Sequence, residues 1–171
     1  MQITKQIHWH MAHRLLGYDG PCGHLHGHTY RVQAVIDGPL DPGLDMVIDF
    51  SHLSRLMRET VDGLLDHATL LSAGDPLVEP LLPYTNRLVL ISHNTSAEVI
   101  AQVLYNIWSP ALLSMSAHVL LSEVRVWETE TSSAAANAYV DGCKILWASK
   151  WGLPFERCGQ IPQSSSWKRP V

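Results

Sequence analysis

The chain has 171 residues, of which 46% are hydrophobic and 16% are charged, and its net charge is −4 when the histidines are neutral. This composition is typical of a single globular domain and excludes a disordered chain. Because basic residues are not in excess, non-specific binding to nucleic acid or to a membrane surface lacks its usual electrostatic driving force.

The cysteines and the apolar runs indicate the cellular compartment. Cys22, Cys143 and Cys158 are too few and too widely spaced for a disulfide framework or a zinc ribbon. The N-terminal segment lacks the apolar stretch of a secretory signal, and no apolar run reaches the roughly 18 residues that a membrane helix needs. We therefore expect a cytoplasmic protein with reduced thiols that binds neither nucleic acid nor a membrane.

Two strands are predicted in the N-terminal part of the chain. The first strand has an apolar face because its hydrophobic residues alternate with polar ones, and the residues on that face are Ile7, Trp9, Met11 and His13. The second strand runs from about His26 to Ile36 with the same alternation. The segment between them, from Arg14 to Gly23, contains glycine turns and is predicted to be a loop.

Helical spacing follows these strands. A stripe that includes Leu53, Leu56 and Met57 predicts a helix with Asp49 or Ser51 as its N-cap. Residues 72–93 contain Gly74 and three prolines, so they are predicted to form a loop with one short strand at 88–91. A second helix is expected to begin at residues 95–98, where Thr95-Ser96-Ala97-Glu98 has the pattern of a capping box.

The predicted elements define a fold class. A third strand is expected at the sequence LSEVRVWET and a fourth at residues 138–140. Two strands, two helices and two strands in this order predict an α+β domain over residues 1–148, in which an antiparallel four-stranded sheet carries two helices on one face. Residues 149–171 have no clear period and are expected to be either a disordered tail or a clamp on a neighbouring subunit.

The sequence CGHLHGH at residues 22–28 contains a candidate metal site. His26 and His28 point to the same side of a strand, with Cα atoms about 6.5–7 Å apart. Pairing of the first two strands would bring His13 beside them, and three imidazoles without a fourth protein ligand are typical of an open catalytic zinc site. The alternative is that these histidines are solvated polar groups at strand ends. That interpretation would be favoured if only one histidine were present.

Other residues have two interpretations each. Cys22 is a metal ligand, a small buried residue or a catalytic base, and a base would need a lowered pKa and an imidazole partner. Asp66-His67 could supply that partner, because a carboxylate orients an imidazole, although this dipeptide is common in structural roles. Glu128 ends an inward-facing row and is either an exposed strand-end carboxylate or the acceptor for the N–H pair of a flat ligand such as a pterin or guanine.

Six segments occur in an order that resembles the 6-pyruvoyltetrahydropterin synthase family. The three residues between Cys22 and the His26-Gly27-His28 sequence resemble its bacterial branch, 6-carboxytetrahydropterin synthase. The segments are WHMAH (9–13), CGHLHGH (22–28), VIDF (47–50), LDH (65–67), NTSAEVIA (94–101) and ET (128–129). Met11, Thr95 and Ser96 depart from the family pattern, and the segment 72–93 is longer than in compact members.

The resemblance implies a tunnelling fold (T-fold) and a role for each matching residue. It implies Zn²⁺ bound by His13, His26 and His28, with Cys22 as the base that abstracts a proton. It implies Asp66 and His67 as a proton relay, Glu128 as the anchor of the pterin ring, and Ser96 and Glu98 in the same ring-binding pocket.

The resemblance also implies an activity and an assembly. The expected enzyme is a lyase that converts 7,8-dihydroneopterin triphosphate to 6-carboxy-5,6,7,8-tetrahydropterin for 7-deazaguanine and queuosine synthesis. The expected assembly is a homo-oligomer, a trimer or a hexamer, with sites between subunits. Two alternatives stay open: formation of the pyruvoyl product or another side-chain cleavage, and a pterin- or purine-binding oligomer without catalysis.

Overall fold

Residues 1–148 are the part of the chain that the computed structural model describes, and they contain seven strands and three α-helices. The predicted tail, residues 149–171, lies outside the described residues. A 3₁₀ turn (Pro21–Gly23) precedes the second strand, and a π-helical segment (Val61–Leu65) extends the first helix. The strands and helices are β1 (Gln2–His13), β2 (His26–Asp37), α1 (Phe50–Thr60), β3 (Ala68–Ser72), α2 (Val78–Leu81), β4 (Leu88–Ile91), α3 (Ala97–Met115), β5 (Leu120–Trp127), β6 (Ser133–Ala136) and β7 (Ile145–Ala148).

The seven strands of residues 1–148 form one sheet in the order β6-β5-β2-β1-β3-β4-β7. The strands β6, β5, β2 and β1 are antiparallel neighbours, whereas β3 pairs in parallel with both β1 and β4. The α+β class is confirmed, but the prediction of an antiparallel sheet of four strands is wrong, because the sheet has seven strands and two of its pairings are parallel. Strands β3 and β4 are short and mostly buried, so they lack the polar alternation that marks a half-exposed strand.

One face of the sheet carries the core. The alternation predicted for β1 is confirmed, because Ile7, Trp9, Met11 and His13 are buried while His8 and His10 are exposed. Trp9 stacks on Tyr30 of β2 with ring centroids 5.0 Å apart. Apolar residues of α1 and α3 pack against this same face in one cluster that includes Met57 and Leu104. The other face of β1 and β2 is therefore left to polar side chains.

The two long helices begin differently. Asp49 caps α1 as predicted, since its carboxylate accepts a hydrogen bond from the Ser51 main-chain N–H at 2.7 Å. The capping box predicted at residues 95–98 does not form, and Ser96 is the N-cap of α3 without a side-chain cap bond. Thr95 is fully buried and its hydroxyl donates instead to the main-chain carbonyl of Arg14 at 2.6 Å. The Thr95 hydroxyl, which the local pattern predicted to cap the helix, is therefore used in a contact with a distant part of the chain.

The strand predicted at residues 138–140 is wrong, because the final antiparallel neighbour of β5 is β6, at Ser133–Ala136. Residues 138–140 instead bind the side of α3, where Gln102 donates to the Ala138 carbonyl and Asn106 donates to the Val140 carbonyl. The strand β6 consists of serine and alanine, which have low strand propensity. The sequence pattern therefore predicted the strand at the nearby Tyr139 and Val140 instead.

The segment 72–93 contains the predicted short strand, β4, and also the single-turn helix α2, which was not predicted. Asp75 in this segment receives two hydrogen bonds from the Arg14 guanidinium, at 2.6 and 2.7 Å. This ion pair fastens the segment to the end of β1. No helix within residues 1–148 has the length and apolar character needed to cross a bilayer.

Candidate metal centre and active site

Three histidines meet at the paired ends of β1 and β2. His13 is the register partner of His26, and His28 lies two residues further along the same face. The ring centroids of the three pairs are 4.6 Å (His13–His26), 5.2 Å (His13–His28) and 4.9 Å (His26–His28) apart. One ligand nitrogen from each lies within 4.8 Å of the other two. The predicted convergence of these imidazoles is confirmed, and the set can hold a metal ion.

Hydrogen bonds orient two of these rings. His13 Nδ1 lies 2.7 Å from the Thr95 carbonyl, and His26 Nδ1 lies 2.7 Å from the His24 carbonyl. A carbonyl only accepts, so Nδ1 of each ring carries the proton and Nε2 keeps its lone pair. This arrangement, in which the outer nitrogen donates to a carbonyl, is the usual one for histidines that bind metals.

Two nitrogens of the cluster, one on His13 and one on His28, are buried without hydrogen-bond partners. His13 Nε2 and His28 Nε2 make no hydrogen bond, although a buried polar atom normally has one. The pKa of His13 is lowered to about 4, chiefly by burial and in smaller part by the neighbouring His26 and His28, which together outweigh the Thr95 hydrogen bond that raises it. Burial, followed by the charge of His26, also lowers the pKa of His28. Both rings are therefore neutral near pH 7, as metal binding requires.

Glu128 lies beside the histidines, just beyond the end of β5. Its Oε1 is 3.7 Å from His13 Nε2, and its side chain is 24% exposed. Burial raises the pKa of Glu128, and the nearby negative charge of Glu98 raises it further. Glu128 also faces the Tyr30 hydroxyl, which is buried without a well-formed hydrogen bond and whose pKa is raised by burial and by Glu128. The carboxylate thus lies next to His13, one of the three candidate ligands.

Glu98 and Ser96 lie at the start of α3, next to the Thr95 carbonyl that holds His13. Glu98 is exposed, and its interaction with Glu128 places the two carboxylates near one another. Ser96 is half-buried, and its side chain makes no cap bond. The sequence prediction that these residues share a pocket with Glu128 is therefore compatible with the fold, but a role in binding stays a prediction.

Cys22 lies in the 3₁₀ turn before β2 and is half-buried. Its main-chain carbonyl accepts a hydrogen bond from Leu15 N–H at 2.8 Å, which closes the loop between β1 and β2. A charge at Cys22 contributes to the raised pKa of Tyr30, after burial and Glu128, so the thiol and the Tyr30 hydroxyl lie in one neighbourhood. A role for Cys22 as the base stays a prediction.

Asp66 and His67 are not brought to the three histidines within one chain. The side-chain contacts of His67 in residues 1–148 are with Asp66, at 3.7 Å between Nε2 and Oδ2, and with the His10 ring, at 5.7 Å between centroids. His10 differs in parity from His13 and is exposed on the face of β1 that lacks helices. The predicted relay pair therefore lies against the opposite face of the sheet from the metal cluster.

Sequence reasoning missed the residues that support the site. Arg14, Thr95 and Asn94 tie the loop after β1 to the start of α3, because Asn94 bonds both the N–H and the carbonyl of Leu16. Gly23 is also required, since a Cβ at this position would collide with the Tyr18 main-chain carbonyl. A glycine directly after Cys22 was the one local signal of this close approach.

Comparison with known proteins agrees with the fold and with the family that the sequence resembles. Residues 2–138 match the protein family described as 6-pyruvoyl tetrahydropterin synthase. The chain is 34% identical to 6-carboxy-5,6,7,8-tetrahydropterin synthase of Haemophilus influenzae over 138 residues, which cover 77% of this chain and 94% of that protein. The enzyme of the same name from Rickettsia bellii is 30% identical over 131 residues, which cover 75% and 94%.

Solved structures show the same fold at lower identity. An uncharacterized protein from Wolinella succinogenes superposes with a TM-score of 0.70 at 23% identity, covering 80% of this chain and 97% of that one. Plasmodium falciparum 6-pyruvoyl tetrahydropterin synthase superposes with a TM-score of 0.64 at 22% identity, covering 82% and 98%. Taken with the sequence matches, these likenesses define the class of protein, a T-fold lyase. The chain belongs to the 6-pyruvoyl tetrahydropterin synthase family.

Proposed function

We propose that this protein is a zinc-dependent lyase that converts 7,8-dihydroneopterin triphosphate and one water to 6-carboxy-5,6,7,8-tetrahydropterin, with release of acetaldehyde and triphosphate. The observation that carries the proposal is the cluster of His13, His26 and His28, which has two buried nitrogens without partners. The names of the relatives that are 30% and 34% identical support the choice of the carboxy product.

The donor set fits zinc. Within residues 1–148, three imidazoles converge without a fourth histidine, cysteine, aspartate or glutamate as ligand, and such a set leaves an open position, which is the pattern of a catalytic rather than a structural zinc site. When bound there, zinc would supply Lewis-acid stabilisation of negative charge on the side-chain oxygens of the substrate. The Thr95 and His24 carbonyls support this proposal because they hold two of the three rings in the orientation that zinc requires.

We assign the base to Cys22 and the ring-binding group to Glu128. The thiolate of Cys22 would accept the proton from the side-chain carbon of the substrate, next to the oxygens that the metal holds. The Glu128 carboxylate would accept two N–H bonds from the pterin ring, which compensates for the burial of its charge. The proximity of Glu128 to His13 supports binding of one ligand across both groups, because the two side chains are 3.7 Å apart.

The relay is assigned to Asp66 and His67 of a second copy of the chain. Within one chain these residues lie against the sheet face opposite the histidine cluster, so they cannot return a proton there. A symmetric oligomer that packs this face against the Cys22 loop of a neighbour would complete the site. This arrangement accounts for the homo-oligomer, trimer or hexamer, that the family resemblance implies.

Product analysis tests the reaction. The purified protein loaded with zinc is incubated with 7,8-dihydroneopterin triphosphate, and the pterin products and acetaldehyde are identified by mass spectrometry. Acetaldehyde in equal amount to the 6-carboxy product supports the proposal. A 6-pyruvoyl product without acetaldehyde would assign pyruvoyl synthesis instead, and binding without turnover would leave a pterin-binding protein.

Two variants test the roles of the residues. Cys22→Ala is expected to abolish turnover and to keep the zinc content, whereas loss of zinc would make Cys22 a ligand and overturn its assignment. Mixed oligomers of Cys22→Ala and His67→Ala chains test the shared site. If the base and the relay come from different copies, random mixing restores wild-type pairs at roughly a quarter of the interfaces. No recovery of activity would place both groups in one chain.

We further propose that the product supplies 7-deazaguanine synthesis for queuosine, in the cytoplasm. This step rests on the names of the relatives and on the family resemblance. Deletion of the gene from its host, followed by nucleoside analysis of tRNA, tests it directly. Unchanged queuosine in the deletion strain would assign the product to another use.

A further inference from the structure

We propose that His10 is a positioning residue that holds the His67 imidazole in one orientation for proton transfer. This inference rests on the proposed function, because it concerns the relay of that reaction. His10 lies inside the WHMAH segment, but the resemblance assigns it no role. Its place beside His67 comes only from the fold.

The His67 side chain needs an external support. Within one chain, before a neighbouring copy packs against it, this side chain is 71% exposed, and its 3.7 Å approach to Asp66 Oδ2 is too long for a hydrogen bond. Exposed side chains without firm contacts change rotamer in picoseconds to nanoseconds. A relay group with this freedom would spend much of its time away from the proton that it must deliver.

The His10 ring supplies that support. Its centroid lies 5.7 Å from the His67 centroid with the planes tilted by 46°, which is within the range of attractive contacts between rings. The His10 ring is itself fixed, because its Nδ1 lies 3.1 Å from the Thr29 hydroxyl on the neighbouring strand. His67 therefore packs against a ring that is held in place, rather than against another mobile side chain.

The main chain of His10 positions the rest of the relay. Its N–H donates to Asp66 Oδ1 at 3.0 Å, and its carbonyl accepts from His67 N–H at 2.6 Å. His67 has a φ of +56°, a left-handed conformation that costs energy for a residue other than glycine. Both partners of the relay thus depend on one residue of β1, and the strained backbone aims the imidazole towards that residue.

His10 and His67 also line the same open cleft, with Thr29 and Thr69, on the face of the sheet away from the core. The volume of this cleft is about 460 Å³. The contact between the two rings therefore lies where a ligand held between two copies would meet the relay. The His10 ring holds His67 at the wall of the cleft, and both rings leave the cleft open.

The test separates the His10 ring from neighbouring histidines. His10→Ala removes the ring, His10→Phe restores a ring without titratable nitrogens, and His8→Ala is the matched control two residues earlier on the same exposed face. We expect His10→Ala to lower kcat roughly 10- to 100-fold while KM and zinc content stay near wild-type values. His10→Phe should recover most of this loss, and His8→Ala should have no effect.

A second measurement does not depend on activity. Side-chain couplings of ¹³C-labelled histidine report the rotamers of His67 by NMR in the whole protein. We expect one dominant rotamer in the wild type, the His8→Ala variant and the His10→Phe variant, and averaging in His10→Ala. A single rotamer in His10→Ala, or an unchanged kcat in that variant, would overturn the inference. Turnover by His67→Ala at the wild-type rate would instead remove the relay from the proposed function, while the NMR result would still decide the role of His10.

Discussion

His13 donates from Nδ1 to the main-chain carbonyl of Thr95 at 2.7 Å, and this bond joins residues 82 positions apart in the chain. The bond fixes the tautomer of a buried imidazole and turns Nε2 towards His26 and His28. Thr95 is itself fixed by its hydroxyl, which donates to the Arg14 carbonyl directly after His13. The start of α3 and the end of β1 thus orient one candidate ligand together.

Removal of each candidate ligand is expected to remove the metal. We expect His13→Ala, His26→Ala and His28→Ala each to lose bound zinc, because two imidazoles seldom hold the ion against competition. His24→Ala is the control, since only its main-chain carbonyl contacts the cluster, through His26. The measurement is metal content by mass spectrometry after dialysis. Full zinc in any of the three variants would remove that residue from the ligand set.

The metal-free protein is expected to lose stability in acid through His13. Its pKa is 6.5 when unfolded and about 4 when folded, because burial disfavours the charged ring. The unfolded state therefore binds more protons between these values, and the free energy of unfolding falls as the pH falls, by up to about 1.4 kcal/mol per pH unit. Above pH 6.5 this contribution to stability is complete and does not change with pH.

Urea unfolding of the zinc-free protein between pH 4.5 and 7.5 measures this slope. We expect a shallower pH dependence in His13→Asn, which cannot be protonated, and an unchanged one in His8→Asn. The comparison is between slopes, so a uniform loss of stability in His13→Asn does not affect it. Equal slopes in all three proteins would contradict a lowered pKa for His13.

The Arg14–Asp75 ion pair is expected to stabilise the fold more than an exposed pair does. The Asp75 side chain is 0% exposed and that of Arg14 is 19% exposed, and Asp75 also accepts from Leu77 N–H. Removing one partner of a buried pair leaves the other charge uncompensated, so we expect Asp75→Asn to cost roughly 3–5 kcal/mol.

The matched control for this pair is Asp62→Asn, which breaks the Arg58–Asp62 pair on the surface of α1 and the π-helical segment. The Arg58 and Asp62 side chains of this pair are 49% and 51% exposed. Water screens such a pair, so we expect a change within about 1 kcal/mol. Chemical denaturation measures both variants. Similar losses in the two would mean that Asp75 contributes through something other than its buried charge.

Glu128 is expected to determine the affinity for the pterin ring. We expect Glu128→Gln to weaken binding of a pterin to the zinc-loaded protein roughly 10- to 100-fold, because a charged hydrogen bond contributes about 1.5–3 kcal/mol. Glu130→Gln is the control, since Glu130 is exposed and two residues further along the chain. Calorimetric titration measures both. Unchanged affinity in Glu128→Gln would assign ring binding to another group.

Local patterns in the sequence were sufficient for the strand faces and for the shared direction of the two histidines of β2. The alternation in β1 and β2 depends on a period of two, which places His26 and His28 on one side whatever the rest of the chain does. The buried face of β1 and the N-cap at Asp49 followed from equally local rules. These features could be predicted because each is decided by residues within a few positions of one another.

Pairings between distant segments could not be predicted in the same way. Thr95 has the sequence of a helix cap, yet its hydroxyl binds Arg14, and the alanines of β6 form a strand because β5 offers an open edge. The placement of His67 against His10 depends on the parallel pairing of β3 with β1, which no local period encodes. The sequence by itself determined that His26 and His28 point to one side of β2, because spacing along one strand sets their direction. Only the tertiary structure decided that Asp66 and His67 lie on the other face of the sheet, because that depends on contacts between segments more than fifty residues apart.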